Sequence, residues 1–392
     1  MDKPNKREWG FLFFDNNNFS RHIGFDRVDQ LSDFCKRLGP SDCYHSAAYY
    51  NNPVASTMDD KGWGGCDLIF DVDADHLETS CKKEHDLWIC DNCKSEGRGE
   101  PPEKCLKCGA SNISKITWIC HNCLEAAKKE IINVLDDFLL TDLGLDYSQI
   151  FLVFSGHRGY HIHVEDDKIK KLDSNARKEI IDYIRGNGVS PDFLGLTRTP
   201  GKVIIGPKSE DYGWRGRINK YIIRLLGEVS EDKLREIGFI KSKRDAIINN
   251  LSMIIDNLSL KEDNIPGFKG ISWDFAKLKI GDWLKLIEYS IKRYGGKIDE
   301  PVTADIHRLI RTPNSLNGKT GFKTQILNRD QIEQFDPLKD PVVFNGYIKV
   351  KIHRAPRIVL NDESYGPFYD EVAELPMNVG VFLACKNVAE VL

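Results

Sequence analysis

The chain has 392 residues, 41% of them hydrophobic and 29% charged, which suits a soluble globular protein with a large core in more than one domain. Its formal net charge of −4 excludes a globally basic nucleic-acid binder, so any contact with a polyanion must come from local patches. No apolar run approaches the roughly 20 residues of a membrane span, and the polar start Met1 to Arg7 lacks the apolar centre of a signal peptide; a cytoplasmic protein without a membrane association is expected.

Residues 7–25 predict two short aromatic-rich strands around an Asn-rich turn. Arg21 and His22 on the second strand either reach a phosphate or stand in solvent. A short helix is predicted over 28–38, closed by Gly39-Pro40. The glycine-rich Gly62 to Gly65 then leads into an acidic stretch, Asp67 to His76. In a strand, Leu68, Phe70 and Val72 share an apolar face, while Asp71 and Asp73 share the other. Two carboxylates held side by side repel unless a cation lies between them. Hard divalent ions take oxygen ligands and keep waters and substrate phosphates as the rest. A metal site for phosphoryl transfer and an exposed acidic edge are the two readings of this stretch alone.

Of the eleven cysteines, six form three Cys-x-x-Cys pairs, which in a reducing compartment reads as metal binding. Cys90-x-x-Cys93 and Cys105-x-x-Cys108 are separated by eleven residues, and a second gap of eleven leads to Cys120-x-x-Cys123. Such knuckles build tetrahedral thiolate sites for zinc. Six cysteines do not divide into fours. Cys81 and His85, just upstream, bring the count to eight, enough for two closed sites with a folding role.

A helix follows Cys123, with Ile131, Leu135, Phe138 and Leu139 at helical spacing and Gly144 at its end. Residues 150–154 predict a buried strand, Ser155 to Gly159 a tight turn, and Tyr160 to Val164 a second strand with His161 and His163 on one face. A hydroxyl, a guanidinium, an imidazole and backbone amides would converge there as an anion cradle; the other reading is a hairpin with solvated polar groups. A further helix is predicted over 175–188. The stretch 191–217 carries Arg198, Lys202, Lys208, Arg215 and Arg217 among Tyr212 and Trp214, and either tracks a nucleic-acid backbone or is a solvated loop. Residues 219–294 are helical in pattern. Beyond Gly295-Gly296, one acid, two arginines, a serine and a lysine fall within the seventeen positions Asp305 to Gly321. Gly318-Lys319-Thr320 is not a P-loop end, because Pro313 stands where the first glycine belongs. Residues 322–392 alternate apolar residues and turns, as in small strands, and end in a short helix.

Four blocks occur in order: Ser20 to Phe25, Asp67 to His76, Phe154 to Val164 and Asp305 to Gly321, with the cysteine knuckles between the second and third. Over nearly the whole chain the sequence resembles the catalytic small subunit of the archaeal and eukaryotic type of DNA primase. Its Asp-Ala-Asp-His and Arg-Leu-Ile-Arg wording is similar to the archaeal branch. The resemblance implies an α+β fold, with a catalytic core of central β-sheets flanked by helices. That core would be made of residues 1–80, 124–206 and 297–392, the last with C-terminal strands, and would carry a zinc-binding module (81–123) and a helical insertion (207–296).

The resemblance further implies that Asp71, Asp73 and Asp305 hold two Mg²⁺ or Mn²⁺ ions and that Ser155, Arg158 and His161 bind the triphosphate. Arg308 and Arg311 would lie near the incoming nucleotide, with Lys319 and Arg21 as further binding candidates. Asn317 stands where family members usually place a histidine that helps hold the triphosphate. Cys81, His85, Cys120 and Cys123 match the family zinc knuckle, which leaves Cys90, Cys93, Cys105 and Cys108 as an inserted ribbon for a second zinc. The implied reaction is template-directed nucleotidyl transfer, beginning primers on single-stranded DNA from nucleoside triphosphates during replication. The implied partner is the primase large subunit, which carries an iron–sulfur domain, in a heterodimer. Three alternatives are a family polymerase acting in extension or repair, a metal-dependent nuclease, and a non-catalytic DNA-binding subunit. The triphosphate cradle argues against the nuclease and the intact acids against the binding subunit. Finally, the acidic strand is expected to pair beside the strand carrying His161, so that metals and triphosphate meet on one sheet face.

Overall fold

The structure, a computed structural model, describes residues 3–14 and 18–392. The Asn-rich turn expected after Phe14 lies, apart from Asn18, outside the described residues. The chain forms two compact units: Met1–Asp136, Leu145–Lys178 and Lys297–Leu392 make the first, and Asp137–Gly144 with Glu179–Gly296 the second.

Two four-stranded antiparallel sheets organise the first unit. In one, Trp9–Leu12 pairs with Ser20–Ile23 and with Asp42–Ser46, whose other edge takes Leu309–Arg311. Its core gathers Trp9, Phe11, Leu31 and Cys43, with Phe25 and Phe34 packed against them. The helix Val28–Leu38 supplies Leu31 and Phe34 and ends at Gly39, as its sequence predicts. In the other sheet the order is Gln325–Leu327, Ile150–Phe154, Gly159–Val164 and Leu68–Asp73. The acidic strand therefore does pair with the histidine strand, with Asp71 opposite His161 and Asp73 opposite Gly159. Leu68, Phe70 and Val72 are fully buried, and the helix His121–Asn133 packs against this strand pair. The opposite face is not all polar. Ile69 shares it with the two acids and is buried in a cluster with Ala47, Tyr50, Val302 and Ile310.

The helix after Cys123 changes to π winding over Val134–Asp142 before Gly144. A three-stranded sheet, Glu96–Arg98, Leu87–Cys90 and Ile113–Ile116, carries the cysteine ribbon. The C-terminal part is a three-stranded sheet of Phe368–Pro376, Tyr347–Ala355 and Ala389–Val391, with the helix Met377–Cys385 packed on it. The last element is thus a strand rather than the expected helix. The chain reverses after Cys385 and pairs Ala389 and Val391 with Ile352 and Val350.

The second unit holds the helices Trp214–Gly227, Glu231–Glu236, Lys241–Asn249, Leu251–Leu258 and Ile280–Tyr294. A small sheet joins Thr197–Arg198, Ile204–Gly206 and Ile271–Ser272, and the last of these strands interrupts the stretch that reads as helical. Trp273 and Trp283 pack edge to face at 4.8 Å in its core. The basic stretch 191–217 is largely spent inside this unit. Arg217 is buried on Asp137 and Asp142, Arg215 pairs with Asp211, Lys208 pairs with Asp263, and Trp214 is buried. Among the described residues, no helix is long and apolar enough to cross a membrane.

Candidate active site and metal clusters

Asp71 and Asp73 open into a cavity of about 180 Å³ in the first unit. Their strand approaches the next one closely because residue 159 is glycine. A Cβ there would stand 2.7 Å from the Val72 carbonyl oxygen, below any tolerable contact. His161 Nε2 lies 3.5 Å from Asp71 Oδ1. Burial, reinforced by the charges of Asp73 and Asp299, pushes the Asp71 carboxyl up to about 8, with Arg308 opposing. Burial likewise raises Asp73, against Arg158, His76 and Lys319. His161 is pushed down to about 3, first by burial and then by Arg311 and Arg308, so it is a neutral imidazole at pH 7. A carboxyl pair this reluctant to ionise is unstable as a dianion alone and fits a hard divalent cation.

Neither the predicted third acid, Asp305, nor Asp299 is among the residues lining this cavity. Asp305 is exposed, its Oδ1 accepts the His307 N–H at 2.8 Å, and its carboxylate caps its own turn. The acid whose charge bears on Asp71 is Asp299, and its backbone N–H donates to the Asp71 carbonyl at 2.9 Å. Among the described residues no third acid or imidazole closes on Asp71 and Asp73 within 4.8 Å.

The same cavity is lined by Ser155, His161, Arg308, Arg311, Asn317 and Lys319. The turn 155–159 and the loop 317–321 are locked to each other. Asn317 Nδ2 donates to the Ser155 carbonyl at 2.9 Å, Asn317 Oδ1 accepts the Lys319 N–H at 2.9 Å, and Thr320 Oγ1 donates to the Gly156 carbonyl at 2.5 Å. Asn317 thus spends its amide bracing the wall. Ser155 Oγ accepts the N–H groups of His157 and Gly159 at 3.3 and 3.2 Å. Arg311 pairs with Asp42 and donates to Tyr44 Oη at 3.2 Å. Among the described residues, neither Arg308 nor Lys319 forms a direct ion pair, and their charges act on Asp71 and Asp73 in the same cavity.

Two predicted ligands lie elsewhere. Arg158 is fully buried and pairs with Asp75 and Asp86, its Nη1 3.0 Å from Asp86 Oδ1 and 3.0 Å from the Trp118 carbonyl. Arg21 is held by Glu8 at 3.1 and 3.2 Å and is not part of the cavity wall.

The eight cysteine and histidine ligands fall into two groups, Cys81, His85, Cys120 and Cys123, and Cys90, Cys93, Cys105 and Cys108. Within each, the candidate ligand atoms all lie within 4.8 Å of one another. Four sulfurs around zinc, at a Zn–S bond of roughly 2.3 Å, stand about 3.8 Å apart. Here Cys81 and Cys123 are 3.3 Å apart, Cys90 and Cys108 3.6 Å, and Cys93 and Cys105 3.6 Å, so both donor sets fit that ion. His85 Nδ1 lies 2.9 Å from Asp86 Oδ1, which leaves Nε2 for the cluster, 3.3 Å from Cys123 Sγ.

The sequence model of a family described as DNA primase small subunit matches residues 101–327. The chain is 36% identical to the DNA primase small subunit PriS of Methanothrix thermoacetophila, covering all of this chain and 94% of that protein. It is 33% identical to its counterpart from Methanocella arvoryzae, with 98% and 92% covered, and 30% identical to that from Nitrosopumilus maritimus, with 100% and 92% covered. The chain belongs to the DNA primase small subunit family.

Two residues of this primase small subunit site were not singled out by the sequence reading. His157 lines the cavity beside Ser155, and Tyr44 lines it beside Arg311. Tyr44 sits next to Asp42 on a strand whose pairing with Leu309–Arg311 is invisible locally. His157 was passed over for its neighbour Arg158, although turn geometry sends the two side chains to different places.

Proposed function

We propose that this chain is the catalytic subunit of a DNA primase, which joins nucleoside triphosphates on a single-stranded DNA template into short primers and works with the primase large subunit. The observation that carries this reading is the juxtaposition in one cavity of a carboxyl pair, Asp71 and Asp73, with the cations Arg308 and Lys319. Two-metal nucleotidyl transfer needs that division of charge, acids to hold cations and cations to hold phosphates.

Asp71 and Asp73 would hold two Mg²⁺ or Mn²⁺ ions, with Asp305, the third acid that the resemblance implies, or Asp299, whose charge reaches Asp71, completing the set; such ions would lower the pKa of the attacking 3′-hydroxyl and neutralise charge on the departing pyrophosphate. Arg308 and Lys319 bind the triphosphate, with Arg311 fixed beside them by Asp42. His161, neutral and opposite Asp71, orients that carboxylate without competing for it. Ser155 and Asn317 hold the two loops that form the wall, so the phosphates meet a preorganised surface. The two cysteine groups would each hold a structural zinc.

The test is primer synthesis on unprimed single-stranded DNA with ribonucleotides and with deoxynucleotides, with and without the large subunit. Synthesis by the wild type and its loss in Asp71→Ala, with fold and zinc content unchanged, supports the reading. Synthesis retained by Asp71→Ala, or degradation of the DNA instead of synthesis, overturns it.

A further inference from the structure

His157 lies in the turn between the two central strands, is 7% exposed and lines the cavity. Its Nε2 is 2.8 Å from Nζ of Lys386, which is 6% exposed and comes from the end of the helix Met377–Cys385, 229 residues further on. Lys386 Nζ also donates to the Thr117 carbonyl at 2.8 Å. Among the described residues Lys386 makes no ion pair. The charged groups acting on it are Arg158 and Lys319, which disfavour its charge, and Asp86 and the Cys385 thiol, which favour it. Those acting on His157 are Lys386, Lys319 and Arg311, all cationic. A buried cation with cationic neighbours and no carboxylate partner is costly unless an anion arrives from outside.

The contact also selects a tautomer once Lys386 is charged, as it is when an anion is bound. An ammonium only donates, so Nε2 of His157 then accepts, and the ring proton belongs to Nδ1. We propose that Lys386 is a positioning residue of the nucleotide site, which fixes His157 as its Nδ1–H tautomer so that the ring offers an N–H to the polyphosphate in the cavity, while its own ammonium adds a second layer of positive charge behind that ring. The C-terminal helix, which carries none of the acids, thereby takes part in binding the triphosphate. This inference rests on the reading of the cavity as a nucleoside triphosphate site.

The contacts at Lys386 match the role. Its two hydrogen bonds, to Thr117 and His157, hold Nζ in place, and burial lowers it to about 7, so an incoming anion stabilises its charged form.

The test uses the full chain with magnesium pyrophosphate as the probe. Calorimetric titration should show Lys386→Met binding it at least about tenfold more weakly than the wild type, the loss expected for a charge-assisted contact. In the synthesis assay the same variant should raise KM for the incoming nucleotide more than it lowers kcat. A second measurement needs no change at 386: ¹⁵N-histidine NMR of the pyrophosphate-loaded wild type, with His157 assigned through His157→Gln, should show Nδ1 protonated and Nε2 bare. Unchanged pyrophosphate affinity in a folded Lys386→Met chain, or an Nε2-protonated His157 in the loaded wild type, overturns the inference and leaves the primase reading standing. A wild type that binds no magnesium pyrophosphate overturns both.

Discussion

Arg158 and Asp86 form an ion pair buried to 0% and 1% exposure, 3.0 Å apart, between the turn that opens the histidine strand and the first cysteine cluster. Asp86 also fixes His85 Nδ1 and accepts the Trp118 N–H at 3.0 Å. One carboxylate therefore ties a candidate zinc ligand to the turn that lines the candidate site. Asp86→Ala would leave Arg158 buried with only Asp75, which is 40% exposed. Removing one partner of a buried pair costs about 3–5 kcal/mol, and losing such a support of a ligating histidine weakens metal binding roughly 10–100-fold. Thermal unfolding and competition for zinc by a chromogenic chelator check this, and a variant that unfolds and holds zinc like the wild type would refute it.

The carboxyl of Asp71 gives the metal-free protein a signed pH dependence. Its folded-state pKa of about 8 lies above the unfolded value of roughly 3.9. The stability it contributes is fully present below about pH 4 and is lost as pH rises toward about 8, because the unfolded chain ionises freely while the native one resists. Without added Mg²⁺ or Mn²⁺, the wild type should therefore lose Tm between pH 5 and 8 relative to Asp71→Asn, and Mg²⁺ should restore it at the alkaline end. Parallel pH profiles for the two proteins would contradict the assignment.

Asp299 and Asp305 are separable by experiment. Asp299 bears on Asp71, whereas Asp305 is exposed and caps its own turn. Asp299→Ala should lower primer synthesis by at least about 10²-fold, on the scale of losing a group that stabilises transition-state charge. Asp305→Ala should lower it less than about tenfold. Synthesis rates at saturating template and nucleotide give the comparison, and the reverse order would reinstate Asp305 as the third acid.

The eight ligands in two groups predict two zinc ions per chain after purification without added zinc. Cys93→Ser with Cys105→Ser should remove one of them and leave the other. Elemental analysis decides the count, and one zinc in the wild type would remove the second site.

What the sequence discloses follows from how local each cause is. Alternation along one strand placed Asp71 and Asp73 together, and the same rule on the next strand turned His161 toward them. The cysteines were legible as zinc ligands because Cys-x-x-Cys spacing is a local constraint, while the joining of Cys81 and His85 to Cys120 and Cys123 came from the family resemblance. Arg158 was misplaced because its partner Asp86 is 72 residues away, and a buried carboxylate draws a guanidinium more strongly than an open cavity does. Asp299 escaped notice because Asp305 stands in a denser run of charges, and only the fold shows that the Asp299 backbone bonds to Asp71 and that its charge reaches that carboxyl. His157 acquires its meaning from Lys386, and no local pattern announces that contact.

Gly159 offers a test of how closely the site depends on the distance between its two strands. It faces Asp73 across the pair, and an added methyl would meet the Val72 carbonyl oxygen at 2.7 Å and the Asp73 Cα at 3.2 Å. Backbone atoms cannot swing aside as a flexible side chain can, so Gly159→Ala must separate the strands at the position that aims Asp73. Overpacking of this kind costs about 1–3 kcal/mol, a tolerable loss for a chain with a large core. Displacement of a reacting geometry by about 1 Å costs on the order of 10²-fold in rate. The variant should therefore stay folded with full zinc content while losing synthesis far more than stability. Measuring Tm, zinc and synthesis on one preparation separates the two effects, and a variant that is equally active, or unfolded outright, would contradict the role given to this glycine.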